Sequence, residues 1–191
     1  MSYYILDCIT DHPVSTASHD DKFMFYDMGR GRPLNKPKDI PIISYLDLGY
    51  EPDKNPGIIK PWYKDTIPLF RQDLLTAIIE SGVDNLEIYD AILKDVHNGI
   101  DYMDYKAVNV IGLIDCIDKG ETKIAGLDTL GGLLPDMIDS LSISEEKTNG
   151  LLMFRMPTSI SAIIVHEKVK KSIKKNKIPY MYFHKPQEWA G

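Results

Sequence analysis

Two carboxylates three positions apart, Asp115 and Asp118, come closest to a catalytic or metal-binding pattern in this sequence. The isoleucines of the segment 111–118 recur at helical spacing, and a helix would place both carboxylates on one face. Paired carboxylates of this kind bind a divalent metal ion or act as acid and base. The simpler explanation is that they cap and solvate the end of a helix.

The five histidines are a second source of candidates, but they are scattered without the i,i+4 spacing of a helical zinc site. His166 and His184 could meet if the strands on which they are expected lie side by side. A surface or helix-capping role explains each histidine more simply. The nucleophile-elbow, P-loop and dinucleotide-binding motifs are all missing. The sequence therefore predicts no catalytic residue, no metal and no cofactor.

Cysteine use and hydropathy indicate the compartment. Cys8 and Cys116 stand alone, without a CxxC motif, which favours a reducing cytoplasm over a disulfide scaffold. The first residues lack the basic and apolar regions of a signal peptide, and no apolar run has the length of a membrane span. We therefore expect a soluble cytoplasmic protein that does not enter a membrane.

Charge is distributed unevenly along the chain. The whole protein has a formal net charge of −6, and residues 84–139 hold 12 acidic against four basic side chains. Such a segment is either a solvated surface or an acidic face that attracts a basic partner. For the second case we predict partner contacts through carboxylates and two aromatic anchors within residues 84–105. These residues are Asp84, Glu87, Asp90, Asp95, Asp101, Asp104, Tyr102 and Tyr105.

The carboxyl-terminal part has the opposite charge. Residues 162–191 hold seven lysines and two glutamates, and most of these lysines fall in the segment 168–177. A basic helix with tyrosines nearby could bind nucleic acid through phosphates and base stacking. The acidic balance of the whole chain argues against this, so a nucleic-acid partner is the less favoured alternative.

The hydrophobic pattern predicts the elements that would position these residues. Residues 67–90 and 162–185 each predict a strand, a helix and a strand, and they match at a constant offset of 95 positions. Ile78 and Ile173 are an identical pair in this match. Residues 1–66 are rich in proline and aspartate and predict a loop-rich amino-terminal part. We expect one α+β domain over residues 1–191, with mixed or antiparallel sheets and a few helices.

The same pattern predicts a core, which includes Leu74, Ile78, Val108, Val110, Leu141, Ile164, Val169, Ile173 and Phe183. Arg155 is the one charged residue in the apolar run LLMFRM. Because a buried arginine needs a counter-charge, we predict a carboxylate partner for it and a structural role.

Three runs of this chain together resemble a known family. They are PLFRQDLLTAIIESGVDNLEIY (68–89), DYMDYKAVNVIGLIDCIDKGETK (101–123) and LSISEEKTNG with the residues that follow it up to 183. They are similar to the immunity protein eleven family, formerly a domain of unknown function, whose genes lie beside bacterial polymorphic toxins. Asn109, Asp118, Phe154 and Arg155 stand where the family pattern expects them. The chain departs from the pattern at Lys177-Ile178-Pro179, where members commonly carry a glycine.

The resemblance covers residues 67–185 and implies a function without catalysis and without a cofactor. It implies that the chain binds a cognate toxin from the same or a sibling bacterium and neutralises it by stoichiometric occlusion. An acidic inhibitor suits a basic toxin, because opposite charges speed their encounter. The resemblance transfers no binding residues, and a homodimer is compatible with the sequence. A metal-dependent or other hydrolytic enzyme, and a nucleic-acid-binding protein, are the alternatives.

Overall fold

A computed structural model describes residues 2–8, 16–19, 28, 31–34, 41–47, 58–64, 68–124 and 138–189 of the chain. The described part has an α+β fold that is mostly sheet, as predicted. Its two α-helices are α1 (Gln72–Glu80) and α2 (Glu167–Lys175). Neither helix has the length or the apolar composition needed to cross a bilayer.

Thirteen strands belong to the described residues, and most of them pair antiparallel. They are β1 (Tyr3–Cys8), β2 (Thr16–His19), β3 (Ile42–Asp47), β4 (Trp62–Tyr63), β5 (Leu69–Arg71), β6 (Leu86–Asp95), β7 (Ile100–Tyr102), β8 (Tyr105–Val110), β9 (Lys123–Ile124), β10 (Ile138–Ser140), β11 (Met153–Met156), β12 (Ser159–His166) and β13 (Met181–His184).

Two larger sheets and one strand pair result. One sheet has the order β11-β12-β1-β13 and the other has the order β2-β3-β6-β8-β5-β4, with β7 paired to β6. Only the β3–β6 pair is parallel among the described strands. Strands β9 and β10 pair with each other.

The predicted internal repeat is confirmed, and it extends further than the sequence indicated. The bounds of α1 and α2 are 95 residues apart at both ends, and so are the first residues of β6 and β13. In the first unit β8 lies antiparallel between β5 and β6, and in the second β1 lies antiparallel between β12 and β13. The middle strand follows the first unit in the chain but precedes the second. Residues 3–8 therefore complete the carboxyl-terminal sheet.

The register of the two units also agrees. Phe70 pairs with Lys106, and the residue 95 positions later, Val165, pairs with Tyr4. By this register β8 matches β1 position for position, which makes Tyr105 and Tyr3 equivalent. Both tyrosines are buried.

The two helices pack against each other at equivalent positions. The Ser172 hydroxyl donates a hydrogen bond of 2.7 Å to the carbonyl oxygen of Ala77, and these residues are 95 apart. A contact between equivalent residues is expected when an approximate two-fold axis relates two units. Around it lies a central apolar cluster that includes Leu74, Ile78, Val169 and Ile173.

Each sheet carries a further cluster on its other face. One is formed by residues such as Tyr63, Tyr89 and Tyr105, and the other by residues such as Ile5, Phe154 and Ile164. The predicted core residues are buried, except Phe183, which is only partly buried against the central cluster.

The helix ends differ between the units. His166 caps α2, because its Nδ1 accepts a hydrogen bond of 3.1 Å from the backbone amide of Lys168. After α1, Gly82 takes the left-handed conformation with φ 98°, and after α2 Lys177 takes it with φ 54°. Asparagine also tolerates this conformation, but Asn176, the residue before Lys177, has a φ of −78°.

The predicted helix over 111–118 is wrong. The amide of Ile114 donates to the carbonyl oxygen of Arg155, and the amide of Arg155 donates to that of Gly112. The backbone of this segment is therefore bonded sideways to β11 instead of along a helix. Gly112 has φ 126°, and a Cβ on Gly31 would lie 2.9 Å from its backbone nitrogen, so the two backbones cross in close contact.

Candidate functional site

The hairpin β6–β7 carries most of the residues predicted to bind a partner. Lys94 pairs with Asp101 and Asp95 with Ile100 across the hairpin. The turn between the strands includes Asn98 and Gly99, and Gly99 has φ 66°. Four residues, 96–99, connect the paired residues Asp95 and Ile100, and loops of this length are usually built around a type I turn. The glycine supplies the positive φ that such a loop needs at its end.

Asp95 was predicted as a surface contact, and this is corrected because its side chain is only 2% exposed. Its carboxylate accepts a hydrogen bond of 3.0 Å from the amide of Asn98 and one of 2.8 Å from the Asn98 side chain. Burial by itself raises the pKa of Asp95, but these hydrogen bonds outweigh burial and leave the pKa below its ordinary value. Asp95 holds the turn together.

Glu87 is also tied into the structure. Its Oε2 accepts a hydrogen bond of 2.7 Å from the amide of Leu34 and one of 3.1 Å from the side chain of Asn109. The Asn109 side chain also donates to the carbonyl oxygen of Arg32. Glu87 therefore links β6 and β8 to the segment 31–34, and only part of it faces solvent.

The other four predicted carboxylates are exposed. Asp90 forms an ion pair of 2.6 Å with Lys106, and Asp101 forms one of 3.1 Å with Lys94. Asp84 and Asp104 form no ion pair with the residues that the structure describes. Exposed ion pairs contribute little to stability, but carboxylates that remain in solvent shape the field that a partner meets.

The two predicted aromatic anchors, Tyr102 and Tyr105, differ in how deeply they are buried. Tyr105 is fully buried, and its hydroxyl donates a hydrogen bond of 2.5 Å to the carbonyl oxygen of Lys60. Burial strongly raises the pKa of Tyr105. The prediction that Tyr105 contacts a partner is therefore corrected, because β8 lies in the middle of its sheet. Tyr102 is half-buried against Tyr105, with ring centroids 6.5 Å apart.

Sequence reasoning missed three apolar side chains on the same hairpin. Val96, Ile100 and Met103 are 70%, 44% and 64% exposed. They lie within eight residues of one another in the chain, in a segment that also holds the exposed carboxylates of Asp101 and Asp104. Exposed apolar side chains gathered in one place mark an interaction surface more often than scattered ones do. We call residues 96–104 the acidic hairpin surface. Asp90 lies further along β6, and Asp84 precedes the opposite end of that strand.

The candidates for acid–base or metal chemistry are not brought together. Asp118 accepts a hydrogen bond of 3.0 Å from the amide of Gly120 and so stabilises a turn, and the helix that would align it with Asp115 does not form. Strand β1 runs between the strands of His166 and His184. Among the described residues no three His, Cys, Asp or Glu side chains are grouped to hold a metal ion.

The two thiols are free and buried. Burial raises the pKa of Cys8 to about 11 and that of Cys116 to about 12. Both therefore stay protonated at neutral pH, and a protonated thiol is a poor nucleophile. Lys60, which lies near Cys8, is also buried, and its pKa is lowered by that burial.

Two of the lysines of α2 contact other side chains of the protein. The Lys170 ammonium lies 3.4 Å from the centroid of the Tyr4 ring, and Lys171 pairs with Glu167 at 3.1 Å. Lys168, Lys174 and Lys175 are exposed. Tyr180 and Tyr182, the tyrosines nearest to this helix in sequence, are 39% and 43% exposed.

Comparisons with known proteins assign no family and no function to this chain. The resemblance of residues 67–185 to the immunity protein eleven family therefore stays a prediction. No protein-family model matches the chain, and no curated protein matches it.

Proposed function

We propose that this chain is an immunity-type protein that binds a basic protein toxin and neutralises it by occlusion, without catalysis. The observation that carries the proposal is the acidic hairpin surface, where Val96, Ile100 and Met103 are exposed beside carboxylates. An apolar centre with a charged rim is the usual anatomy of a protein interface. The motif resemblance over residues 67–185 supports the same function.

Occlusion needs only a complementary surface of adequate size. A stable complex buries about 1,600 Å² in total, of which about 800 Å² comes from each partner. That is a small share of the 10432 Å² surface of this protein. The net charge of −6 speeds the approach of a basic partner. Val96, Ile100 and Met103 then supply the apolar contact that slows dissociation.

The test is complex formation with the protein encoded by the adjacent gene. We expect a 1:1 complex by size-exclusion chromatography with light scattering, and restored growth of cells that express both proteins. Failure of the purified chain to bind that protein or to protect growth would contradict the proposal.

A matched pair of variants tests the surface. Ile100 on the hairpin and Ile79 on α1 are 44% and 45% exposed. Ile100→Ser is expected to weaken toxin binding at least about tenfold, the effect of losing a contact worth about 1.4 kcal/mol. Ile79→Ser is expected to leave binding unchanged. Equal losses for both variants in calorimetric titrations would place the interface elsewhere.

A further inference from the structure

Strand β7 lies at an open edge of its sheet. Leu93 and Lys94 of β6 pair with β3 on one side and with β7 on the other, so β7 and β8 lie along the same side of β6. Strand β5 covers β8 but ends at Arg71. The amide of Gln72 still donates to the carbonyl oxygen of Asp104, and from there the chain continues into α1. No described strand pairs with β7 on the side away from β6.

The hydrogen bonds of β6 determine which backbone groups of β7 point outward. In an antiparallel pair, successive residues alternately turn their amide and carbonyl groups toward the partner strand and away from it. The amide of Ile111 donates to the carbonyl oxygen of Asn85, directly before β6, so odd-numbered residues of β6 bond β8 and β7. Their partners in β7 are Ile100 and Tyr102. The amide and carbonyl groups of Asp101, which lies between these two, therefore point away from β6.

The side chains along this edge leave it accessible. Ile100 and Met103 are 44% and 64% exposed, and Asp101 and Asp104 are exposed as well. Asp101 pairs with Lys94 of β6, but its side chain remains 51% exposed in this ion pair. An exposed sheet edge with unpaired backbone groups is a template for a further strand.

Charge and apolar side chains select the strand that fits this edge. Residues 94–104 hold three carboxylates, one lysine and one histidine. Two copies of this chain paired along β7 would bring their own carboxylates together, and like charges on adjacent strands are destabilising. An extended segment with lysine or arginine beside apolar residues would instead complement Asp101 and Asp104 by charge. Its apolar residues would cover Ile100 and Met103.

We propose that the toxin binds by adding an extended strand to the outer edge of β7, and that this strand carries lysine or arginine side chains that meet Asp101 and Asp104. The inference rests on the proposed function and specifies how the acidic hairpin surface recognises its partner. In strand addition, main-chain hydrogen bonds give affinity and alternate side chains give specificity. The outward amide and carbonyl groups of Asp101 supply such bonds.

Amide hydrogen exchange, measured residue by residue by NMR with and without the adjacent-gene protein, tests this proposal. In the free protein we expect the Asp101 amide to exchange fast, while bonds to β6 slow the amides of Ile100 and Tyr102. Binding is expected to slow exchange at Asp101 at least about tenfold, because its amide becomes hydrogen-bonded.

The matched control is the Phe183 amide, on the outer edge of the other sheet. The amide of Glu167 donates to the carbonyl oxygen of Ser2, so even-numbered residues of β1 bond β12 and odd-numbered ones bond β13. Phe183 lies opposite Leu6, and its amide therefore points away from β1. Its exchange is expected to stay unchanged in the complex. Slowed exchange at Phe183 instead of Asp101 would overturn the proposal.

Two substitutions separate the backbone of Asp101 from its carboxylate. Asp101→Ala and Asp101→Pro both remove the charge, but only proline also removes the N–H. An edge strand tolerates proline where this N–H faces solvent. Asp101→Pro is expected to weaken toxin binding at least about tenfold more than Asp101→Ala, through loss of a main-chain hydrogen bond. Equal losses in calorimetric titrations would overturn the proposal, and if the proline variant does not fold, exchange at Asp101 in the wild-type complex decides.

The outcomes distinguish this inference from the function on which it rests. A complex that forms without slowed exchange at Asp101 would contradict strand addition alone. The absence of any complex would contradict the proposed function, and strand addition with it.

Discussion

Two charged residues of this protein, Asp95 and Arg155, are both buried but in different ways. Asp95 accepts two hydrogen bonds from Asn98 at the turn that it supports. Among the described residues, Arg155 makes one hydrogen bond, its Nε has no partner and the predicted carboxylate partner is missing. A satisfied buried charge stabilises local structure, whereas an unsatisfied one costs stability. Asp95 therefore stabilises its turn, whereas the burial of Arg155 lowers the stability of the fold.

Asp95→Asn is expected to lower the free energy of unfolding by about 1–3 kcal/mol at neutral pH, because the new amide faces the amide of Asn98. The pKa of Asp95 is lowered in the folded state. Its contribution is therefore present above the unfolded pKa of about 3.9 and is lost as the pH falls through the folded pKa. Urea unfolding at pH 7 and at pH 3 measures this. The same difference between the two proteins at both pH values would contradict the account.

At the scale of the element, Lys177 ends α2 in the left-handed conformation, and a substitution there tests whether this conformation is strained. The amide of Lys177 donates to the carbonyl oxygen of Lys174, and that of Ile178 to Ile173, which is the Schellman pattern. A side chain in this conformation costs about 1–2 kcal/mol. Since glycine loses more entropy on folding, Lys177→Gly is expected to raise the free energy of unfolding by about 0.5–1 kcal/mol.

Gly82 is the matched control, because it occupies the equivalent position after α1. Its φ is 98°, and a Cβ there would lie 3.5 Å from Leu152 Cδ1, an ordinary contact. Gly82→Ala should therefore destabilise the protein through backbone strain alone, by about 1 kcal/mol or more. Denaturant unfolding of both variants measures whether each substitution raises or lowers the free energy of unfolding. A destabilised Lys177→Gly variant would contradict this account, because the lysine side chain would then stabilise the protein by more than the backbone strain costs.

The two helices should depend on the same packing. Ile78 and Ile173 are buried at equivalent positions in the central cluster, so truncation of either to alanine should cost about 2–5 kcal/mol. Ile79→Ala is the control, because Ile79 is 45% exposed, and it should stay within about 0.5 kcal/mol. Chemical denaturation measures all three. A small effect at Ile173 with a large one at Ile79 would contradict the helix faces described above.

The sequence predicted well those features that are set by local periodicity. The helices and their offset of 95 residues follow from apolar spacing. The central place of β1 between β12 and β13 was not predicted, because this pairing joins residues about 160 apart and leaves no local signal. The helix prediction for residues 111–118 failed because the backbone of this segment forms hydrogen bonds with strand β11.

The prediction of the candidate site failed for residues that were chosen by type alone. Whether a strand is buried on both faces cannot be seen from residue type. Tyr105 suits an interface by type, but β8 is buried on both faces, by the central cluster and by the cluster that contains Tyr105. Asp95 also suits one by type, but its carboxylate is bonded to Asn98. The exposed apolar side chains at 96, 100 and 103 are ordinary in sequence. Only the structure shows that Val96 and Met103 have no core to enter.

At the scale of the whole molecule, two similar units share a central core and differ in what they display. The first unit carries the acidic hairpin surface, and the second carries the exposed lysines of α2. We expect the protein to be steered by its acidic side toward a basic toxin, while the shared core keeps that surface in place. This leads to a prediction about rates, because steering by charge acts on association more than on dissociation.

The most direct measurement is the association rate constant with the adjacent-gene protein as a function of salt, by stopped-flow fluorescence. The variant replaces the four exposed carboxylates with lysine, and the control replaces four exposed carboxylates elsewhere. The first set is Asp84, Asp90, Asp101 and Asp104, and the second is Glu121, Asp139, Glu146 and Glu188. We predict that the first set slows association at low salt at least about tenfold and flattens its salt dependence, while the control changes both less. Unchanged association and salt dependence in the first variant would contradict the account.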